Sequence, residues 1–234
     1  MWDSRDIQEK HIKDALKKRR IINGEIPITG RSIHTYKQLL FPEQRSEQSL
    51  VADVSKKDFL DVACGINPIY EESLLYKLRG SSKKDCLDTY SPSQLPDEIN
   101  KPLTYYQTSA ATTGFKDNTY DLITVNNYMY LWERDPRKLQ DLYKEFYRIL
   151  KSNCKAEVRV FPVFYADYSQ GDKELFSFLQ THFKIRCLQP PTYSSEPPVF
   201  LEENKLQVAE KGCGTTEAKI YKELESHVVI FEKV

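Results

Sequence analysis

From residue 58 onward the chain alternates short apolar runs with amphipathic stretches, and this alternation constrains its fold more than any other feature. Apolar runs of strand length separated by helical segments are typical of βαβ units, in which the strands lie parallel and the helices pack on the sheet. Strands are predicted at Phe59–Val62, Asp85–Asp88, Leu103–Thr108, Tyr120–Val125, Ala156–Val163, Phe183–Leu188 and Ser226–Lys233. Helices are predicted at Glu71–Leu78, Pro136–Leu150 and Glu174–His182. The pattern predicts an α/β fold with a mostly parallel, seven-stranded sheet flanked by helices.

The length of the chain indicates one domain, because 234 residues can bury a sizeable core without disulfide or metal support. Residues 5–22 are rich in helix formers and end at Asn23 and Gly24, which is typical of a helix stop. We therefore expect residues 1–57 to form an N-terminal helical cap and residues 58–234 to form the α/β domain. A Pro-rich insertion at residues 189–225 separates the last two predicted strands, and connections of that length are commonly functional.

Charge and composition exclude several classes of protein. Lys plus Arg and Asp plus Glu both total 34, so no net field attracts polyanions and general nucleic-acid binding is not expected. The five cysteines are odd in number and lie far apart, which is typical of reduced intracellular thiols. The four histidines have no metal-ligand spacing, so we expect no metal site. The charged N-terminus is unlike a secretory signal and no run approaches the roughly 18 apolar residues of a membrane span, so we expect a soluble, cytoplasmic protein without membrane association.

The stretch from Phe59 to Pro68 combines a predicted strand with a tight turn of small residues. A nucleotide-like cofactor needs such a turn, because backbone must approach the ligand and the N-terminus of the next helix must face it. Ala63 and Gly65 supply the small side chains. Asp88 ends the second predicted strand and brings a carboxylate that can accept hydrogen bonds from both hydroxyls of a ribose. These features together indicate a cofactor site.

Residues 61–68, DVACGINP, resemble the first motif of class I S-adenosylmethionine-dependent methyltransferases, which is written D-x-G-C-G-x-G or D-x-G-C-G-x-N-P. Residues 88–92, DTYSP, are similar to the second motif. Residues 114–123, GFKDNTYDLI, resemble the P-F-x-D-x-S-F-D-L-V approach to the fourth strand, and residues 145–151, EFYRILK, resemble the E-x-x-R-V-L-K end of the next helix. The order of the four matches is more specific than any single match.

This resemblance implies S-adenosylmethionine as the cofactor and an antiparallel last strand, Ser226–Lys233, beside Phe183–Leu188. It also implies cofactor contacts from positions in or near the matched motifs: Asp61, Ala63, Cys64, Gly65, Asp88, Thr89, Ser109, Ala110 and Asn126. Two of these positions depart from the family pattern. Ala63 replaces the first glycine of the motif, and Ser109 stands where an acidic residue usually binds the adenine amine. Cys64 is interpreted as a small packing residue rather than a nucleophile.

Residues 29–41, TGRSIHTYKQLLF, resemble the G-R-S-x-x-x-Y region that precedes the first motif in some of these enzymes and covers the methionine end of the cofactor. Arg31 can pair with the cofactor carboxylate through two hydrogen bonds, and a surface arginine that caps a turn explains it equally well. Tyr36, Tyr128 and Tyr130 are predicted to border the methyl acceptor. For Tyr128 and Tyr130, packing against the following helix is an even alternative.

The resemblance implies methyl transfer from S-adenosylmethionine to an oxygen or nitrogen atom of a small molecule. The sulfonium already activates the methyl group, so catalysis can come mainly from positioning of donor and acceptor.

Two other functions also fit parts of the sequence pattern. A methyltransferase fold can bind the cofactor or a protein partner without catalysis. That alternative is motivated by the loss of two motif glycines, replaced by Ala63 and Asn67, and by the missing adenine-contact acid. In a nicotinamide-dependent oxidoreductase Asp88 would also suit a ribose, but the chain has no full G-x-G-x-x-G, and residues 115–121 match the methyltransferase pattern.

Overall fold

An eight-stranded sheet forms the centre of the protein in a computed structural model that describes residues 32–64, 72–78, 83–88, 103–126, 135–152, 155–161, 170–188, 200–201 and 228–234. The strands are β1 (Phe59–Val62), β2 (Lys84–Asp88), β3 (Leu103–Gln107), β4 (Leu122–Asn126), β5 (Glu157–Phe161), β6 (Phe183–Leu188), β7 (Phe200–Leu201) and β8 (Val228–Lys233). The helices among these residues are α1 (Ile33–Leu39), α2 (Glu47–Val54), α3 (Leu74–Lys77), α4 (Pro136–Ile149) and α5 (Gln170–His182).

The order of the strands across the sheet is β3-β2-β1-β4-β5-β8-β6-β7. The first five strands are parallel, and β8 runs antiparallel between β5 and β6. This topology confirms the predicted mostly parallel sheet with an antiparallel last strand, the class I methyltransferase-like fold. The two-residue strand β7 pairs with the end of β6 and adds an eighth strand to the seven that were predicted.

The predicted segments all contain the expected element where they are described, although some ends differ. The fourth strand begins at Leu122, because Tyr120 forms only an isolated bridge with Leu150. The predicted helix at Glu71–Leu78 is a single turn, α3, capped by the Ser73 side chain. The predicted helix at residues 5–22 lies outside the described residues, as does the insertion at 189–225 apart from β7. None of the described helices is long and apolar enough to cross a membrane.

The two faces of the sheet pack against different sets of helices. Side chains alternate along each strand, so Leu60 and Val62 of β1 point to the face covered by α4 and α5. Phe59 of the same strand points to the opposite face, where α1, α2 and α3 pack. Amphipathic α4 contributes its apolar side to the first of these faces: Leu139, Leu142, Tyr143, Phe146 and Ile149.

Helices α1 and α2 are part of this core. Ser32 and Ser46 cap their N-termini, and Ser46 forms a capping box with Ser49. The buried side chains of this segment join those of β1, β2 and β4 in one cluster: Ile33, Tyr36, Leu40, Phe41, Leu50 and Val54. The described part of the predicted N-terminal cap therefore forms a layer of the domain and lies against the strands that carry the matched motifs.

Candidate active site

The carboxyl ends of the parallel strands β1, β2, β3 and β4 meet at one edge of the sheet. The chain leaves β1 toward β2 and β3 and then returns to β4 on the other side of β1. Ligands of open α/β proteins bind at such a reversal of strand order, outside the carboxyl ends of the strands. The motif residues at the ends of β1, β2 and β4 therefore share one edge, which is the candidate site.

The turn after β1 has a backbone conformation that favours glycine. Ala63 has a φ of 56°, in the left-handed region that side chains other than glycine rarely adopt. The next residue, Cys64, donates its backbone N–H to the carbonyl of Leu87 on the neighbouring strand (3.3 Å). The structure thus explains why the family has glycine at position 63, and it shows that this chain keeps the turn with an alanine.

Cys64 and Cys86 carry buried thiols at this turn and on the neighbouring strand β2. Burial raises the pKa of the Cys64 thiol well above its usual value, and the Cys86 thiol and the Asp61 carboxylate raise it further. Burial also raises the pKa of Cys86. Both thiols are therefore protonated near neutral pH, which supports the interpretation of Cys64 as a packing residue because the thiolate is the nucleophilic form.

Asp61, in the middle of β1, is fully buried and binds hydroxyl groups from two other elements. The Tyr36 hydroxyl on α1 donates to Oδ2 at 2.5 Å, and the Thr124 hydroxyl on β4 donates to Oδ1 at 2.7 Å. A buried carboxylate needs such donors, since it loses the hydrogen bonds that water would make. Asp61 therefore joins α1, β1 and β4 two residues before the turn.

Tyr36 is as fully buried as Asp61. The sequence pattern predicted it beside a methyl acceptor, whereas the structure places its hydroxyl against the carboxylate of β1. Its contact with an acceptor stays a prediction.

Asp88 is the last residue of β2 and is 7% exposed. Its carbonyl accepts a hydrogen bond from the backbone N–H of Thr108 (3.1 Å), so β2 and β3 remain joined up to this residue. Ser109 and Ala110 follow directly. The Ser109 hydroxyl accepts a hydrogen bond from the N–H of Ala111 (3.3 Å), and Ala110 is buried in the core. Asp88 and the Ser109–Ala110 turn thus lie side by side at the candidate site.

The matched motif at the end of α4 contacts the loop that leads into β4 through Glu145 and Arg148. Oε1 of Glu145 accepts hydrogen bonds from the Thr113 backbone N–H (3.0 Å) and hydroxyl (2.5 Å). Arg148 donates to both oxygens of the same carboxylate and pairs with Asp117. Burial alone would raise the pKa of Glu145, but the hydrogen bonds from Arg148 and Thr113 outweigh it and lower the pKa. The E-x-x-R helix end therefore holds the loop that leads into β4, a contact that the sequence pattern did not predict.

Several predicted site residues lie outside the described part of the chain. These are Arg31, Gly65, Thr89, Tyr128 and Tyr130. Asn126 is described as the last residue of β4, opposite Phe161 of β5. The roles of all these residues stay predictions. Within the described residues, no group of three or more His, Cys, Asp or Glu side chains is placed to hold a metal ion.

Comparison with known families gives a match to the region that carries the motifs. A family model described as a methyltransferase domain matches residues 60–156, from β1 to the residue before β5. The match confirms the resemblance to methyltransferases, supports S-adenosylmethionine-dependent methylation and implies S-adenosylmethionine as the cofactor. No curated protein matches the chain.

Several solved structures are similar to the chain. One is the N-methyltransferase NodS from Bradyrhizobium japonicum WM9 in complex with S-adenosyl-L-homocysteine, with 10% identity, coverage of 82% of this chain and 87% of that chain, and a TM-score of 0.46. Another, from Thermotoga maritima, is described as a possible histamine N-methyltransferase, with 15% identity, coverage of 76% and 82%, and a TM-score of 0.40. A third is phosphoethanolamine N-methyltransferase 2 from Haemonchus contortus, with 15% identity, coverage of 86% and 56%, and a TM-score of 0.41.

Proposed function

We propose that the chain binds S-adenosylmethionine at the carboxyl edge of β1, β2 and β4 and methylates an oxygen or nitrogen atom of a small molecule. The observation that carries this proposal is the convergence of the motif residues. The Ala63 turn and Asp88 end adjacent strands at the point where the strand order reverses. That convergence lies inside the region that matches the methyltransferase family.

The described residues fit the cofactor. The left-handed turn at Ala63 brings backbone to the edge of the sheet with no side chain larger than a methyl group. Asp88 supplies the carboxylate that would accept hydrogen bonds from the ribose hydroxyls. We assign Ser109 and Ala110 to the adenine and Arg31 to the cofactor carboxylate, as the family resemblance implies. The acceptor would lie between residues 1–57 and the 189–225 insertion, bordered by Tyr128 and Tyr130.

Methyl transfer from S-adenosylmethionine requires little acid–base chemistry from the side chains. S-adenosylmethionine supplies a methyl group that its sulfonium already activates. The chain must therefore bind donor and acceptor in one orientation and keep water out, and such positioning alone accounts for large rate accelerations. We assign no catalytic base to the described residues.

Replacement of Asp88 tests the cofactor site. Asp88→Ala removes the acceptor of the ribose hydroxyls, and each hydrogen bond to a charged group is worth about 1.5–3 kcal/mol. We expect calorimetric titration with S-adenosylhomocysteine to show at least a roughly tenfold loss of affinity with the fold intact. Asp141→Ala, which removes an exposed carboxylate on α4, serves as the control and should bind as wild type does. Unchanged affinity of the Asp88 variant would place the ribose elsewhere.

A second candidate function is cofactor or partner binding without catalysis. Ala63 and Ser109 favour it, because both replace residues that methyltransferases commonly use at these positions. Thermal shifts with S-adenosylmethionine, S-adenosylhomocysteine and nicotinamide dinucleotides identify the cofactor, since a ligand of the native state raises apparent stability. Incubation with methyl-labelled cofactor and a metabolite extract then separates the two functions. A labelled product supports catalysis, whereas binding without any labelled product favours the second candidate.

A further inference from the structure

Helix α1 bonds to the chain on both sides of the predicted cofactor turn. Before the turn, the Tyr36 hydroxyl donates to Oδ2 of Asp61 at 2.5 Å. After it, the backbone N–H of Ile33 donates to the carbonyl of Glu72 at 2.6 Å. Asp61 and Glu72 lie on either side of Ala63, so one short helix contacts the chain both before and after the turn.

The contact with Asp61 is a strong one. Both Tyr36 and Asp61 are fully buried, and a hydrogen bond to a carboxylate in a region of low dielectric is stronger than one in water. Thr124 donates to the other oxygen of the same carboxylate. Without the Tyr36 hydroxyl, the Asp61 carboxylate would lose a hydrogen-bond donor that water cannot replace, because Asp61 is fully buried. The position of Asp61 near the end of β1 would then be less well fixed.

Helix α1 is held firmly enough to serve as a support. Ile33, Leu40 and Phe41 are buried against the sheet. The guanidinium of Arg159, from β5, donates to the carbonyl of Leu40 (2.8 Å), pairs with Glu43 (2.6 Å) and lies over the Phe41 ring (4.3 Å). The helix that carries Tyr36 is thus fixed to β5 at its C-terminal end, independently of the contacts with the cofactor turn.

We propose that Tyr36 is a positioning residue for cofactor binding, whose hydroxyl fixes Asp61 and thereby sets the path of the chain into the Ala63 turn. Through this contact, helix α1 and the buried residues around it are coupled to the cofactor site. The inference rests on the proposed function of that site. It gives Tyr36 a role distinct from contact with a methyl acceptor.

A pair of matched variants tests the proposal. Tyr36→Phe removes the hydroxyl and keeps the ring. Tyr120→Phe is the control. The Tyr120 hydroxyl also donates to a buried aspartate, Asp85 (2.6 Å), but this contact lies near the amino ends of β2 and β4, away from the cofactor turn. Both variants should lose similar stability. We expect S-adenosylhomocysteine to bind Tyr36→Phe about tenfold more weakly than wild type and Tyr120→Phe within about twofold of wild type.

Amide hydrogen exchange without ligand provides a second readout, measured well below the unfolding midpoint of each variant. Tyr36→Phe should speed exchange at Val62, Ala63 and Cys64, whereas Tyr120→Phe should leave these amides unchanged. Equal loss of affinity in both variants, or no change at these amides in Tyr36→Phe, overturns the positioning role. If wild type binds no S-adenosylhomocysteine, the proposed function fails, and the exchange comparison still decides whether Tyr36 fixes the turn.

Discussion

At the scale of single residues, the conformation of Ala63 is the clearest link between sequence and site. A left-handed φ costs an L-residue roughly 1–2 kcal/mol. Glycine has no such penalty. Glycine also increases the conformational entropy of the unfolded chain, however, which lowers the stability gained by roughly 0.4–1 kcal/mol. The family glycine is therefore favoured on backbone grounds at this position, apart from any effect on the ligand.

We expect Ala63→Gly to raise the free energy of unfolding by up to about 1.6 kcal/mol, the difference between the relieved strain and the added chain entropy. Urea denaturation followed by circular dichroism measures it. Ala52→Gly, in the helix α2, is the control and should lower stability by about 1 kcal/mol, because glycine is a poor helix former. A loss of stability in Ala63→Gly as well would mean that the positive φ at residue 63 is not strained.

The sequence predicted which residues converge at the site better than it predicted their partners. Periodicity placed Asp61 in β1 and Asp88 at the end of β2, and parallel pairing brings such positions to one edge. The bond between Tyr36 and Asp61 depends on how α1 is rotated against the sheet, which local pattern does not specify. The available signal was Asp61 itself, since a carboxylate within an apolar strand needs a buried donor.

At the scale of elements, strands were predicted well because most of them are short runs rich in apolar residues; β2, which carries Lys84, Asp85 and Asp88, is an exception. Backbone pairing rather than composition sets where each strand begins and ends. Tyr120 shows this, because it is aromatic and buried but lies outside β4. Strand β7 has no such signal, because it is two residues long and lies in the Pro-rich insertion. Its pairing with Cys187 and Leu188 comes from tertiary contact alone.

Lys84, the first residue of β2, connects the sheet to the end of α2. Its side chain is fully buried, and Nζ donates to the carbonyls of Lys57 (2.5 Å) and Ser55 (3.4 Å), just beyond the helix. Burial lowers the pKa of Lys84 to about 8, although Asp58 and Asp121 act in the opposite direction. The folded protein thus releases the lysine proton more easily than the unfolded chain, whose lysines have a pKa of about 10.4.

This difference predicts the sign of a pH effect on stability. Between pH 8 and about 10.4 the unfolded chain holds a proton on Lys84 that the folded protein has lost, so this residue makes stability rise with pH, by up to about 1.4 kcal/mol per unit. Below pH 8 the unfavourable contribution is constant. Lys84→Met should therefore remove the rise, and the difference between wild type and variant, measured by urea unfolding from pH 7 to 10.5, isolates it from the titrating tyrosines. A constant difference would show that Lys84 keeps its proton in the fold.

At the scale of the whole molecule, the sheet has two faces and each needs its helices. One core cluster joins α4 and α5 to the sheet, and the other joins α1 and α2 to β1, β2 and β4. Arg159 adds polar contacts from β5 to the segment between α1 and α2. Removal of the layer of α1 and α2 would expose Phe59, and removal of the layer of α4 and α5 would expose Leu60. We therefore infer that residues 33–57 and the sheet unfold together.

Leu40→Ala tests this cooperativity. Leu40 is fully buried at the end of α1, and truncation of a buried leucine to alanine costs roughly 2–5 kcal/mol. If the layers unfold as one unit, the slowest amides of β4 and those of α2 should lose the same exchange free energy, because both open only by global unfolding. Leu179→Ala, from α5 on the opposite face, is the matched comparison and should lower protection in both places as well. If instead Leu40→Ala speeds exchange in α1 and α2 while β4 stays protected, the N-terminal helices unfold as a separate unit, and the contacts of Tyr36 and Arg159 are too weak to join them to the sheet.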